Sequence, residues 1–194
     1  MARNIHFIGI GGAGLSAIAQ VLLESGVAVS GSDERPAELA QALAARGARV
    51  FTGHAAENVP AETETVIISS AVPETNPEVQ AARARGLPVL KRADFLGQLM
   101  QGRTGVAIAG THGKTTTTGL VALMLDRAGL DPTFIVGGVL ADYGTNARAG
   151  HGAPFVIEAD EYDRMFLGLT PSVAVITNVE HDHHDCYPTL KEMQ

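Results

Sequence analysis

Cysteine is almost missing from this chain: Cys186 is the only one in 194 residues. An internal disulfide is thereby excluded, and a solitary thiol does not make a zinc cluster, so the sequence fits a reducing cytosol. A basic excess is missing too. Lysine and arginine number 14 against 21 aspartates and glutamates, for a net charge of −7, which argues against nucleic-acid binding and against a polybasic membrane anchor. No segment supplies the roughly 20 consecutive apolar residues of a spanning helix, so no stable membrane insertion is expected. Low-complexity tracts and repeats of about 20–50 residues are also absent. Arg3 and the small-residue run Ala17-Ile18-Ala19 superficially resemble a secretory signal, but Asn4, His6 and four glycines between Gly9 and Gly14 interrupt its apolar region. The protein is expected to start near Met1 and to be cytoplasmic.

What is present suits a folded α/β protein. Hydrophobic residues make up 45% and charged residues 18%, enough for a core, and the length accommodates one large domain or two small ones. Short β-rich runs alternate with alanine- and leucine-rich stretches at helical spacing, the pattern of a parallel sheet covered by helices. Ile5 to Ile10 reads as a buried strand, and Leu15, Ile18, Ala19 and Leu22 mark one face of the helix that follows. Further strands are expected at Val27 to Ser30, Ala48 to Thr52, Thr65 to Ser69 and Leu87 to Leu90, with helices at Pro36 to Arg46, Asn76 to Arg85 and Arg92 to Met100. Pro36 and Pro77 occupy positions where first-turn prolines are tolerated. The polar stretch 101–104 then precedes a new strand, turn and helix over Gly105 to Arg127, and strands at Thr133 to Val136, Phe155 to Ile157 and Ser172 to Thr177. Two domains are therefore expected: residues 1–102, Rossmann-like, and residues 103–194, the first part of a P-loop-type ATPase domain. Thr189 to Gln194 reads as a helix start with no stop signal, so the chain is expected to be the N-terminal part of a longer protein.

Three motifs carry chemistry. Gly9-Ile10-Gly11-Gly12-Ala13-Gly14 follows a predicted strand and opens a helix. Its glycines allow a sharp turn and close approach to a pyrophosphate, whose charge meets amides at the helix N-terminus. Asp33, 24 residues after Gly9, stands where an acid can accept hydrogen bonds from a ribose. A nicotinamide cofactor and a UDP-sugar use the same electrostatics, and both readings remain open here. The alternative to either is a structural turn with Asp33 capping the next helix.

The second motif is Gly110-Thr111-His112-Gly113-Lys114-Thr115-Thr116. Its amides can wrap a β-phosphate, Lys114 can meet the β- and γ-oxygens, and the Thr115 hydroxyl can ligate Mg2+. The loop is shorter than the ordinary Walker spacing, because Ile108 stands where the first glycine would fall. In the third, Glu158-Ala159-Asp160-Glu161 and Asn178-Val179-Glu180-His181-Asp182-His183-His184-Asp185 each follow a predicted strand, the edge at which a phosphate loop recruits its metal ligands. Magnesium is preferred over zinc, since His181, His183 and His184 lack helical i, i+4 spacing. His6 and His54 read as packing or turn residues. Ser69-Ser70-Ala71 at a strand end leaves room for a ligand.

Taken in order, these segments, with Ser30-Gly31-Ser32-Asp33, resemble the Mur ligase family, ATP-dependent enzymes that add amino acids to the UDP-linked precursor of peptidoglycan. Among its branches the resemblance is strongest to the one that joins L-alanine to UDP-N-acetylmuramate, with the tripeptide-adding recycling branch nearest to it. Tyr162 and His181 depart from the alanine-adding pattern. The resemblance implies that Gly11, Gly12, Ala13, Gly14, Asp33 and Ser70 face the UDP-sugar, and that the loop from Gly110 to Thr116 faces ATP. It further implies that Thr115, Glu158 and His183 hold Mg2+, and that Lys114, Asn178 and His183 lie at the reacting groups.

Overall fold

The computed structural model describes residues 3–35, 37–182, 186–189 and 191. The chain divides into two compact units, Met1–Phe95 and Leu96–Gln194. The expected helix opening at Thr189 to Gln194 and the first-turn proline Pro36 lie largely outside the described residues.

In the first unit, β1 (Asn4–Ile8), β2 (Ala28–Asp33), β3 (Arg49–Thr52), β4 (Thr65–Ile68) and β5 (Val89–Lys91) form one sheet in the order β3-β2-β1-β4-β5. Every pairing is parallel. Such a sheet is covered on both faces, so its central strands are apolar throughout rather than alternating. Accordingly Ile5, Phe7 and Ile8 on β1 and Val66 and Ile67 on β4 are buried. α1 (Ala13–Glu24) buries Leu15, Ile18, Ala19 and Leu22, the face expected from their spacing, and burial of each large aliphatic contributes about 1.5–3 kcal/mol. α2 (Glu38–Ala45) packs on α1, and α3 (Pro77–Ala84) packs on β5 and on the short 3-10 turn Ala56–Asn58. Pro77 sits in the first turn of α3 as expected, and the Asn76 side chain caps it by accepting from the amides of Glu78 and Val79. α4 (Arg92–Met100) spans the division between the units.

The second unit contains β6 (Thr104–Ala109), α5 (Lys114–Arg127), β7 (Thr133–Leu140), β8 (Thr145–Arg148), β9 (Pro154–Glu158) and β10 (Val173–Ile176). Its sheet runs β10-β6-β9-β7-β8, parallel except for the antiparallel β7–β8 pair. Ile108, Ala122, Phe134, Val136 and Val156 form its core. β7 extends four residues past the expected Val136, pairing with β8 at Phe134 and Ile135 and again at Leu140, with a register shift between Ile135 and Leu140. β8 and the 3-10 helix Tyr162–Gly168 were not expected from the sequence.

Candidate functional site

The two glycine turns are described separately, each within its own unit. In the first, Gly9 leaves β1 with φ +88°, a conformation that favours glycine. The amides of Gly9 and Ile10 both donate to the Ser32 carbonyl, at 2.8 and 3.0 Å. The Gly11 amide donates to Asp33 Oδ2 at 2.8 Å. Asp33 therefore anchors the turn directly, a role that neither expected reading of it named. A Cβ at Gly11 would lie 2.5 Å from Ala37 Cβ and 2.8 Å from that carboxylate oxygen, so the close approach requires glycine. α1 then starts at Ala13 with no side-chain cap, leaving its first-turn amides for solvent or an anion. Gly12 and Ala13 are exposed. Ser70 is exposed in the turn after β4, and Ser69 Cβ lies 3.4 Å from where a Gly9 Cβ would stand. One basic residue that the sequence reading missed belongs here: the Arg92 guanidinium lies against Gly14, in the space a side chain there would fill. Nothing local marks it, since 78 residues separate the two positions.

In the second turn, Gly113 caps α5 in the left-handed region, at φ +81°, with no side-chain cap. Gly110 has φ +132°, and a Cβ on it would strike Thr177 Oγ1. The segment from Thr177 to Glu180, following β10, clasps the loop. Asn178 accepts from the His112 amide at 3.0 Å and donates to the His112 carbonyl at 2.9 Å. Thr177 Oγ1 also donates to the His112 carbonyl, at 2.7 Å. Thr111 Oγ1 donates to the Glu180 carbonyl and accepts from its amide. Asn178, expected at the reacting groups, thus braces the Gly110–Thr116 loop with both ends of its side chain.

Lys114 Nζ is folded back onto the loop. It donates to the carbonyls of Gly110 at 2.6 Å and Thr111 at 3.1 Å and pairs with Glu161 Oε1 at 2.8 Å. The Thr115 hydroxyl donates to Glu158 Oε1 at 3.0 Å, and Glu158 Oε2 accepts from the Gly137 amide at 2.6 Å. Thr115 and Glu158 therefore bring hard oxygen donors together beside the loop, a set that fits Mg2+ completed by water and phosphate oxygens. Among the described residues no three histidine, cysteine or acidic side chains converge as a metal cluster. His183, His184 and Asp185 lie outside the described residues. Thr116 is exposed.

Each unit thus opens with a strand, a glycine turn and a helix on a parallel α/β sheet, the architecture of nucleotide-handling domains. Residues 4–104 match the model of the Mur ligase family catalytic domain and residues 108–194 that of the Mur ligase middle domain. The chain belongs to the Mur ligase family. It is 54% identical over 192 residues to a UDP-N-acetylmuramate–L-alanine ligase of Geobacter sp. (strain M21), covering 99% of this chain and 41% of the relative. With the corresponding ligase of Acidithiobacillus ferrooxidans it shares 55% identity over 185 residues, 95% of this chain and 40% of the relative. The chain therefore spans about two fifths of the length of these relatives. Among solved structures, the UDP-N-acetylmuramate-alanine ligase of Thermotoga maritima superposes with a TM-score of 0.88 at 34% identity, covering 97% of this chain and 44% of that one. A ligase of UDP-N-acetylmuramate with L-alanyl-gamma-D-glutamyl-meso-diaminopimelate from Neisseria meningitides gives a TM-score of 0.88 at 32% identity, covering 98% and 65%.

Proposed function

We propose that this chain is the nucleotide-binding portion of an ATP-dependent cytoplasmic ligase that joins L-alanine to UDP-N-acetylmuramate in peptidoglycan synthesis. The observation that carries this reading is identity of 54–55% along nearly the whole chain to ligases of that name, with the phosphate loop intact. Residues 1–102 serve as the UDP-sugar domain and 103–194 as the first part of the ATP domain. The tripeptide-adding reading is less favoured, since the relatives at 51–55% identity carry the L-alanine ligase name; among solved structures the two types stand nearly level, at 34% and 32%. An NAD-dependent oxidoreductase would use the first turn and leave the second without a purpose.

In the proposed reaction the lactyl carboxylate of UDP-N-acetylmuramate attacks the γ-phosphorus of ATP, releasing ADP and forming an acyl phosphate. The L-alanine amine then displaces inorganic phosphate to give the amide. Carboxylate and triphosphate repel each other, so positive charge is required where they meet. Lys114 supplies it by turning from Glu161 towards the phosphate oxygens. Thr115 and Glu158 would hold Mg2+, which supplies Lewis-acid neutralisation of the phosphates when bound. Gly11, Gly12, Ala13, Gly14, Asp33 and Ser70 hold the UDP-sugar, and Arg92 adds a guanidinium suited to its phosphates.

The test is Lys114→Ala in the full-length ligase. Acyl phosphate formation is expected to be lost while UDP-N-acetylmuramate binding is kept. Normal ATP turnover by that variant would overturn the assignment of the phosphate loop.

A further inference from the structure

A buried polar network in the first unit has no part in the reaction described above. Glu78 on α3 is fully buried, as is His6 on β1. Glu78 Oε2 lies 2.7 Å from His6 Nε2, and Oε1 lies 2.8 Å from Nδ1 of the partly exposed His54. His6 Nδ1 meets Ser30 Oγ at 2.8 Å, and His54 Nδ1 meets Ser32 Oγ at 3.1 Å. A carboxylate only accepts, so the nitrogen of each ring facing Glu78 carries the proton. Burial works against the charged carboxylate, but hydrogen bonds from His6, His54 and Ser32 outweigh it and hold Glu78 below the usual carboxylate range.

Such a network is costly compared with an apolar core of the same volume, and its placement suggests its use. Its members converge on the C-terminal end of β2. The Ser32 carbonyl takes the amides of Gly9 and Ile10, the next residue, Asp33, takes the amide of Gly11, and the Asp33 carbonyl takes the amide of Gly53, beside His54, at 2.7 Å. Two consecutive residues of β2 thus hold three consecutive amides of the glycine turn, and the network fixes the first of those two by its side chain.

We propose that Glu78 and His54 are positioning residues for the Gly9–Gly14 turn, clamping Ser32 and Asp33 so that the turn is preset for a diphosphate. The proposal rests on the reading of that turn as the UDP-sugar site. A preset turn spares the ligand the cost of ordering it, so loosening the clamp should appear in affinity.

The experiment compares the 194-residue chain with His54→Leu, His54→Asn and Glu78→Gln, by amide hydrogen exchange and by calorimetric titration with UDP-N-acetylmuramate. His54→Leu should speed exchange at Gly9, Ile10 and Gly11 about tenfold and weaken binding about tenfold, leaving Val66 and Ile67 in β4 unchanged. His54→Asn, which returns a donor near the Nδ1 position, should recover much of both effects. His54 is partly exposed, so its variants give the answer even if Glu78→Gln fails to fold. Unchanged exchange at the turn in His54→Leu, or uniform acceleration across the sheet, would overturn the proposal. Absence of UDP-N-acetylmuramate binding by the unsubstituted chain would instead overturn the ligand assignment, and the exchange comparison would still decide the positioning role.

Discussion

Replacing Lys114 by methionine keeps the aliphatic stem and deletes the ammonium, which isolates the contribution of one charge to the second unit. Three acceptors lose a donor: the Gly110 and Thr111 carbonyls and Glu161 Oε1. The two charged side chains are only 14% and 9% exposed. Breaking a fully buried ion pair costs about 3–5 kcal/mol. This pair is open to water on the lysine side and Glu161 has other interactions, so about 2–3 kcal/mol is expected. For a unit of roughly 100 residues each kcal/mol lowers Tm by about 4–8 °C, giving a fall of about 8–24 °C. Differential scanning calorimetry of the parent chain, Lys114→Met, Glu161→Gln and the double variant completes a cycle with an expected coupling of about 1–2 kcal/mol. Strict additivity, with each single variant losing less than about 0.5 kcal/mol, the level of an ordinary surface substitution, would show that the pair holds nothing in place.

Gly11→Ala places a methyl group against Ala37 and the Asp33 carboxylate; overpacking of this kind costs about 1–3 kcal/mol. Calorimetry should show weaker binding of UDP-N-acetylmuramate, and unchanged affinity would remove this turn from the site. Because the folded pKa of Glu78 is lowered from 4.5, its contribution to stability is complete above that pH and is lost as acid takes the solution through the lower folded value. Denaturant titrations of Glu78→Gln should lack that portion of the acid dependence. Burial, followed by the hydrogen bond to Asp126, pushes the Tyr143 phenol up to about 12; in an alkaline absorbance titration Tyr143→Phe should remove a late-ionising component.

The features legible in the sequence are the local ones. A β-rich run, a glycine turn and a helix at 3.6-residue spacing lie within about 20 consecutive residues, and both such openings stand where their residues place them. β8 escaped because Thr145–Arg148 is short and polar; it is a strand because Phe134, Ile135 and Leu140 of β7 offer it antiparallel partners. The 3-10 helix Tyr162–Gly168 carries no periodic signal. His6 and His54 read singly as packing or turn residues, but their shared partner Glu78 stands 72 and 24 residues away, and no local pattern announces such a meeting. Arg92 beside Gly14 was hidden for the same reason. Asp33 was legible as important, but its bond to Gly11 was not.

The clasp around His112 has a temporal consequence. The side chain that grips both sides of that peptide comes from a residue 66 positions later, carried by the segment after β10. A nascent chain halted at Ile176 would already contain every residue of the Gly110–Thr116 stretch, including Lys114 and the carbonyls it folds onto, yet the His112 peptide would lack the side chain that grips it. The loop therefore acquires its full set of bonds only once the segment after β10 has emerged from the ribosome, well after its own residues have been made.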